Sequence, residues 1–571
     1  MNGAWKIWAP LARDLEVIVD GRPRAAENLG DGFWRADKPP AEADYQLRID
    51  GKLRPDPRSR FQPRGVHDAS RWVPDEFAWH DEGFRALPLS AALIYELHVG
   101  TFTPEGTFSA AISRLPHLKQ LGVTHVELMP VAAFPGRHGW GYDGVLLYAP
   151  HASYGEPRDL KRLVAACHEL GLGVILDVVY NHLGPDGNYL GEFGPYFSER
   201  HKTPWGSAVN LDDAGSDEVR RFFIDNARMW LREYHFDGLR LDAVHALFDQ
   251  SAVHFLEELA SAVAELGVAL RKPLWVIAES DLNDPRLVRT RDAGGYGLDA
   301  QWSDDFHHAV HALLTGERAG YYADFGPIGT LARALSRGYV YDGQHSSFRG
   351  RRHGRPLGEV TGQRLLGYLQ THDQVGNRAQ GERLGHLVSE GKLRIGAALL
   401  FTSPFVPMLF QGEEWNASAP FRYFTDHQDP QLAEAVRQGR RAEFKAFGWQ
   451  PEDVPDPQAE ETFRKSQLDW SELERAPHAD VLAWYSALAR LRAQTPELLD
   501  GRLDRVNLHW DEPQRFLVVQ RGPITLQINF GDQPLSLPRP SGVPVLSFPE
   551  HPSGDGAHVT LAPEACSIWR A

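Results

Sequence analysis

The chain reads as an α/β protein, a (β/α)8 TIM barrel flanked by an N-terminal and a C-terminal β-sandwich. Three observations predict it. From Leu93 onward, apolar runs of four to eight residues alternate with helical stretches, the rhythm of parallel strands joined by crossover helices. Eight such runs occur, the number that closes a barrel. At both ends of the chain this rhythm gives way to short β-prone pieces separated by turn residues.

Residues 1 to about 90 carry AWKIWAP, LEVIVDG, GFWRAD and DYQLRIDG, then the Pro- and Arg-rich PDPRSRFQPRG, which reads as a small sandwich. The barrel strands follow as LIYELHV (93–99), THVELMPV (124–131), GVILDVVY (173–180), GLRLDAV (238–244), LWVIAES (274–280), LDAQWS (298–303), LLGYLQTH (365–372) and VPMLFQG (406–412). Between them, DLKRLVAACHELG and EVRRFFIDNARMWLREY repeat apolar residues at three- and four-residue spacing, as amphipathic helices do. After the third strand, residues 183–211 are rich in Gly, Pro and aromatics and are expected to lie over one mouth of the barrel. FLVVQRG, ITLQINF, VPVLSF and HVTLAPEACSIWRA read as a closing sandwich. The expected units are therefore 1–90, 91–498 and 499–571.

Composition excludes several classes. With 42% hydrophobic, 24% charged and 11% aromatic residues, including 16 Trp, the chain is rich enough in apolar side chains to bury a large core. Its formal charge of −16 repels polyphosphates, so nucleic acid is not an expected partner. No apolar stretch approaches the ~18 residues that span a bilayer, and MNGAWKIWAP lacks the basic and apolar segments of an export signal, so a cytoplasmic protein without membrane contact is expected. The two cysteines, Cys167 and Cys566, stand in no ligand or disulfide spacing, and Cys167 reads as a buried apolar residue.

Barrel chemistry sits at the C-terminal ends of the strands, which directs attention to ionisable residues ending the apolar runs. Asp177, Asp242, Glu279 and Asp373 stand there. Each alone reads more readily as a satisfied polar residue or helix cap, but four together on strand ends do not. Arg240 and Asp242, two apart on one strand, point to the same side, so the guanidinium is expected to keep Asp242 ionised for nucleophilic attack. Glu279 follows WVIA, where desolvation is expected to raise its pKa for proton donation. Such a pair, ~5 to 5.5 Å apart, suits retaining glycoside cleavage. Asp373 is expected to brace an oxocarbenium-like transition state, and His182 and His372 to donate to sugar hydroxyls. Trp140, Tyr142, Trp205, Trp302 and Trp415 are candidate sugar-stacking faces, although core packing explains any one of them as well.

Weaker signals are absorbed elsewhere. His307 and His311 share a helical face but lack the H-E-x-x-H glutamate of a metal pair. No Walker loop, dinucleotide fingerprint or G-x-S-x-G elbow occurs, so neither a nucleotide cofactor nor an esterase is supported.

DVVYNH (177–182), GLRLDAVHA (238–246), AES (278–280) and THDQVGN (371–377) resemble, in order and strand context, the four motif blocks of the alpha-amylase family of retaining glycoside hydrolases. The resemblance implies Asp242 as nucleophile, Glu279 as acid/base and Asp373 as transition-state stabiliser, with sugar contacts at Tyr142, His182, Arg240 and His372 and a supporting role for Asp177. Within the family the chain looks most like members that hydrolyse the α-1,4 bond next to a terminal trehalose unit. Branching and isoamylase-like debranching enzymes are the near alternatives, and the threonine-led fourth block speaks against the former. The leaving-group side then needs donors for a glucose pair without a reducing end, with His245, Asp281 and Gln374 as candidates. The family often binds calcium near the 183–211 excursion, where Asn181, Asp212 and Asp213 stand, but no dense oxygen-ligand loop is present and the resemblance implies no cofactor and no required metal. It also implies a companion synthase that supplies the substrate; a monomer is expected.

Overall fold

The computed structural model describes residues 5–445, 450, 453–549, 552–554 and 556–571; residues 1–4 of the amino-terminal segment read above lie outside the described residues. Eight parallel strands close into a barrel: Ile94–Leu97, His125–Leu128, Gly173–Val178, Gly238–Leu241, Trp275–Ala278, Ala300–Trp302, Leu365–Tyr368 and Val406–Phe410. The first strand pairs with both the second and the eighth, which completes the ring. Each predicted run contains one of these strands. Their residues are buried on both faces because side chains alternate between the barrel interior and the surrounding helices. Ile94, Ile175, Ile277, Trp302, Leu366, Tyr368 and Met408 form the interior packing, while Val126, Leu128, Val174 and Leu176 join the outer core against the helices.

The two amphipathic helices predicted between strands are Pro157–Glu169 and Ser216–Glu233. In the first, Leu160, Leu163, Val164 and Cys167 turn inward, and the Glu156 and Asp159 side chains form a reciprocal capping box at its start. Burial pushes the Cys167 thiol above its usual range, so it behaves as a packed apolar group.

Two sheets make the N-terminal unit. One orders Trp5–Trp8, Phe33–Ala36 and Glu27–Gly30; the other is built around Leu15–Val19 and Asp44–Ile49, where every second residue is buried. Ile7 and Trp34 from the first sheet share a core with Val17 and Leu47 from the second. The C-terminal unit again has two sheets, five-stranded and three-stranded. Arg521, on its strand Phe516–Arg521, sends its guanidinium to the carbonyls of Thr402 and Ser403 in the barrel and of Glu497, Leu498 and Asp500 in the connecting segment. Arg492 does the same for Phe401, Ser403 and Phe405. Among the described residues both guanidinium groups hydrogen-bond to carbonyls alone, with Arg492 Nε left without a partner, and burial holds both below their usual pKa, at about 9 for Arg492 and about 10 for Arg521. Among the described residues no helix is long and apolar enough to cross a membrane.

The segment entering the barrel is latched to its N-terminal end by a buried charge cluster. His168 lies 2.6 Å from Asp81 Oδ2 and 3.0 Å from Asp237 Oδ2; His235 reaches the same Asp81, and Lys272 lies 3.3 Å from Asp237. Burial opposes the imidazolium, but hydrogen bonds to Asp237 and Asp81 outweigh it and raise the pKa of His168. A raised histidine stabilises fully below its unfolded pKa of ~6.5 and loses that contribution as pH climbs through its folded value. His168→Gln should therefore lower Tm by several degrees at pH 6, with the gap from wild type narrowing by pH 9 in scanning calorimetry. A gap independent of pH contradicts the latch.

Candidate active site

At the C-terminal mouth of the barrel, one side chain organises the others. Arg240, inward-facing on the fourth strand, has no exposed surface. Its Nη1 lies 2.7 Å from Asp177 Oδ2 and 3.0 Å from Asp242 Oδ1, and its Nη2 lies 3.1 Å from Glu279 Oε2. The guanidinium carbon stands 4.3 Å over the Trp302 ring. The strand register makes this possible, because Arg240 is level with Asp177 on the third strand and Ile277 on the fifth, one inward position below Glu279.

Asp242 is 9% exposed and held on both oxygens, Oδ1 by Arg240 and Oδ2 by Asn181 Nδ2 at 2.6 Å. Directly after it, Ala243 has φ 38° and ψ 53°, a left-handed conformation that costs a non-glycine residue ~1 to 2 kcal/mol. That turn aims the Ala243 N–H at Glu279 Oε2, 2.6 Å away. Burial pushes the Glu279 carboxyl well above the usual range; Asp242 and Asp373 add to the effect, and Arg240 only partly opposes it. The guanidinium expected to favour Asp242 thus touches both carboxyls. Burial, with the neighbouring carboxylates, is what sets Glu279 apart.

Behind this pair runs a hydrogen-bonded chain. Glu96, on the first strand, accepts from the His372 backbone N–H at 3.0 Å and from His372 Nδ1 at 2.5 Å. His372 Nε2 is 2.8 Å from the Tyr142 hydroxyl, which donates to Asp177 Oδ2 at 2.6 Å. Desolvation opposes the charge on His372, but Glu96 and Asp373 overcome it and raise its pKa to about 9, whereas burial lifts Asp177 to about 6. Two glycines permit this packing. Gly141, at φ +100°, lies so close to the Pro130 carbonyl that a Cβ would fall 2.2 Å from its oxygen, and a Cβ on Gly376 would fall 2.1 Å from the Trp140 ring.

The sequence-predicted residues are not equally placed. Asp373 is about one-third exposed, with Nε2 of His372 3.6 Å away. It lines, with Glu279, Asp281, Trp302 and Gln374, a cleft of about 180 Å³. The His182 ring nitrogens both face protein oxygens, of Asn181 and the Tyr142 carbonyl, and its ring stacks on Trp205, which is 49% exposed. His245 is exposed on a short turn outside the cleft lining.

Two aromatic expectations, Trp415 and Trp140, need correction. Trp415 is fully buried beside Trp470 and donates to Glu472; Trp302 lies under Arg240; Trp140, 6% exposed, is stacked against Phe421 and donates to the Arg422 carbonyl. Lying near a strand end did not give Trp415 or Trp140 a free face, whereas Trp302 borders the cleft. His307 meets the Leu369 carbonyl and the Tyr322 hydroxyl, and His311 pairs with Glu317, so both belong to packing beneath the mouth. Asn181 orients Asp242, while Asp212 accepts from the Gln250 N–H and Asp213 from that of Ala214.

The cleft also holds residues that no motif signalled. Phe348 and Arg349 project from the turn of a hairpin, Asp342–Ser346 with Arg351–Gly354, inserted between the sixth and seventh strands; Tyr321, Asp304 and His308 join them. Arg349 Nη2 lies 2.5 Å from Asp281 Oδ2. Burial would raise the Asp281 carboxyl, but the Arg349 hydrogen bond and charge lower it instead.

With this geometry in hand, residues 68–203 match the model of the alpha amylase catalytic domain, and residues 501–568 match a domain of unknown function, DUF3459. The chain is 52% identical to the malto-oligosyltrehalose trehalohydrolase of Arthrobacter ramosus, covering 97% of each chain. It is 48% identical to the protein of that name from Mycobacterium tuberculosis, covering 99% of each. A crystal structure of a provisionally named alpha amylase from Salmonella typhimurium superposes with a TM-score of 0.90 at 37% identity, over 100% of this chain and 97% of that one.

Because Asn181 holds one oxygen of Asp242, Asn181→Leu should lower kcat ~10- to 100-fold, as loss of an orienting contact does, with KM nearly unchanged. Steady-state kinetics on folded variant decides it; wild-type kcat would show that Arg240 alone orients Asp242.

Proposed function

The chain belongs to the malto-oligosyltrehalose trehalohydrolase family of alpha-amylase-type glycoside hydrolases, and from that membership we propose that it cleaves the α-1,4 bond next to the terminal trehalose unit of a maltooligosyl trehalose. One observation carries the assignment of roles: Asp242 and Glu279 meet on two nitrogens of a single buried guanidinium, and burial pushes the Glu279 carboxyl well above its usual range.

Asp242, its carboxylate fixed by Asn181 and Arg240, attacks the anomeric carbon. As the C–O bond breaks, Glu279 gives its proton to the oxygen of the departing trehalose. Charge developing on the sugar ring is met by Asp373, whose carboxylate also faces the cleft. Water then enters and loses a proton to the Glu279 carboxylate. Its oxygen joins the anomeric carbon, and Asp242 is released with net retention. Arg240, Tyr142, His182 and His372 hold this arrangement around the cleaved sugar, with Trp140 behind them.

On the leaving-group side Asp281, Gln374 and Arg349 present acceptors and donors, and Phe348 and Tyr321 present aromatic faces, a mixture suited to two linked glucose rings. His245 stands near this wall. Residues 91–498 hold the chemistry, and the flanking units 1–90 and 499–571 brace it. The substrate is supplied by an enzyme that converts the reducing end of a maltooligosaccharide into an α,α-1,1-linked pair. A branching or general amylase activity would use the same carboxylates, and the near-full-length trehalohydrolase relatives favour hydrolysis at the trehalose end.

Product analysis tests the proposal. Incubation with maltotriosyl trehalose should release free trehalose and maltotriose, with little action on maltopentaose or amylose; absence of trehalose alongside branched or general products would overturn it. Asp242→Asn should lower kcat by several orders of magnitude on every substrate. Glu279→Gln should match that loss on the oligosaccharide but spare an activated aryl glycoside, whose leaving group needs less protonation. Equal losses on both substrates would remove Glu279 from the acid/base role.

A further inference from the structure

The second barrel strand delivers a carboxyl to the interior that the chemistry leaves unused. Along His125–Leu128, Val126 and Leu128 pack outward against the helices, which turns Glu127 into the barrel. Register sets Glu127 level with Glu96 on the first strand and Ile175 on the third, and Asp177 is the next inward position above Ile175.

Glu127 has no exposed surface, and neither of its carboxyl oxygens has a hydrogen-bond partner among the described residues. Three buried atoms of the catalytic network share that condition, Asp177 Oδ1, Arg240 Nε and Arg240 Nη2, the last meeting Glu279 Oε2 at 3.1 Å as an ion pair without hydrogen-bond alignment. Buried polar atoms left unmatched cost ~1 to 3 kcal/mol each, and natural proteins meet that cost with ordered water.

The charges around Glu127 are already matched. Glu96 is committed to His372, and Asp177 and Asp242 to Arg240. A fourth carboxylate without a cation of its own is unfavourable there, and burial, with Glu96 and Asp177 adjacent, pushes the Glu127 carboxyl well above the usual range. As a neutral acid it offers one O–H donor and acceptor lone pairs, the complement of a bare carboxylate oxygen and a bare guanidinium N–H.

We propose that Glu127 is a positioning residue: an uncharged acid beneath the catalytic layer that, through buried water, ties Asp177 Oδ1 and Arg240 Nε and so fixes the guanidinium on which Asp242 and Glu279 meet. The inference rests on the proposed roles of those two residues. It assigns Glu127 no contact with substrate.

Glu127→Gln, Glu127→Leu and Glu127→Ala, made in the full chain, separate positioning from mere stability. The glutamine variant keeps a neutral donor and acceptor, so its kcat should lie within about threefold of wild type with an unchanged pH profile. The leucine and alanine variants should lose ~10- to 100-fold in kcat with KM within about threefold. Their Tm should not fall in step, because removing an unmatched buried carboxyl is close to neutral for stability. Wild-type kcat in a folded leucine or alanine variant overturns the proposal. A tenfold loss or a displaced pH limb in the glutamine variant overturns the uncharged state, even if neither apolar variant folds. Wild-type enzyme that releases no trehalose would instead refute the parent reading, so the two failures are distinguishable.

Discussion

Everything at the mouth of this barrel depends on keeping one guanidinium out of water. Taking an arginine into a protein interior carries a desolvation penalty of several kcal/mol, offset only when its charge and N–H groups are met in good geometry. Arg240 meets this with three carboxyl groups from three adjacent strands and the face of Trp302 beneath it. Because those carboxyls converge on a single cation, they cannot all stay charged at low cost. The one supported least, Glu279, keeps its proton. The asymmetry that the proposed nucleophile and acid require therefore follows from an electrostatic shortage, and no separate device is needed to create it.

The constraint propagates outward. Asp177 is shared between Arg240 and Tyr142, Tyr142 leans on His372, and His372 stays charged because Glu96 faces it from the first strand. A barrel is suited to such a chain, since neighbouring strands offer inward positions at fixed register and the apolar layer of Ile94, Ile175, Ile277 and Leu366 supports them from below. The flanking units stiffen the frame from outside the site. Arg521 and Arg492 bind carbonyls of residues 401–405 just ahead of the eighth strand, and the His168 cluster anchors the entering segment at the same N-terminal end of the barrel.

What the sequence made legible follows the same physics. All eight strands were visible because two-sided burial writes them as short apolar runs, and Asp242, Glu279 and Asp373 stood out as polar residues ending such runs. The Glu96–His372 pair was not visible, since 276 residues separate its members and only closure of the barrel brings them together. Phe348 and Arg349 were missed for a related reason: they sit in an inserted hairpin with no periodicity that points at the cleft. Trp415 and Trp140 were read too generously, because proximity to a strand end does not reveal which face of a ring a neighbouring loop will cover. Arg240 was correctly paired with Asp242, but its second carboxyl, Glu279, emerged only from the register of the fourth and fifth strands.

In the proposed division of labour Asp242 forms the bond to sugar while Glu279 handles the proton. That division is tested most directly by trapping the intermediate. Glu279→Gln protein can be incubated with an α-glucosyl fluoride, which needs no acid to depart, quenched, digested and mapped by mass spectrometry. A glucosyl adduct is expected on the peptide containing Asp242, and none when Asp242 is also replaced by Asn. An adduct on Asp373 or Asp177, or turnover undiminished in the double variant, would contradict it.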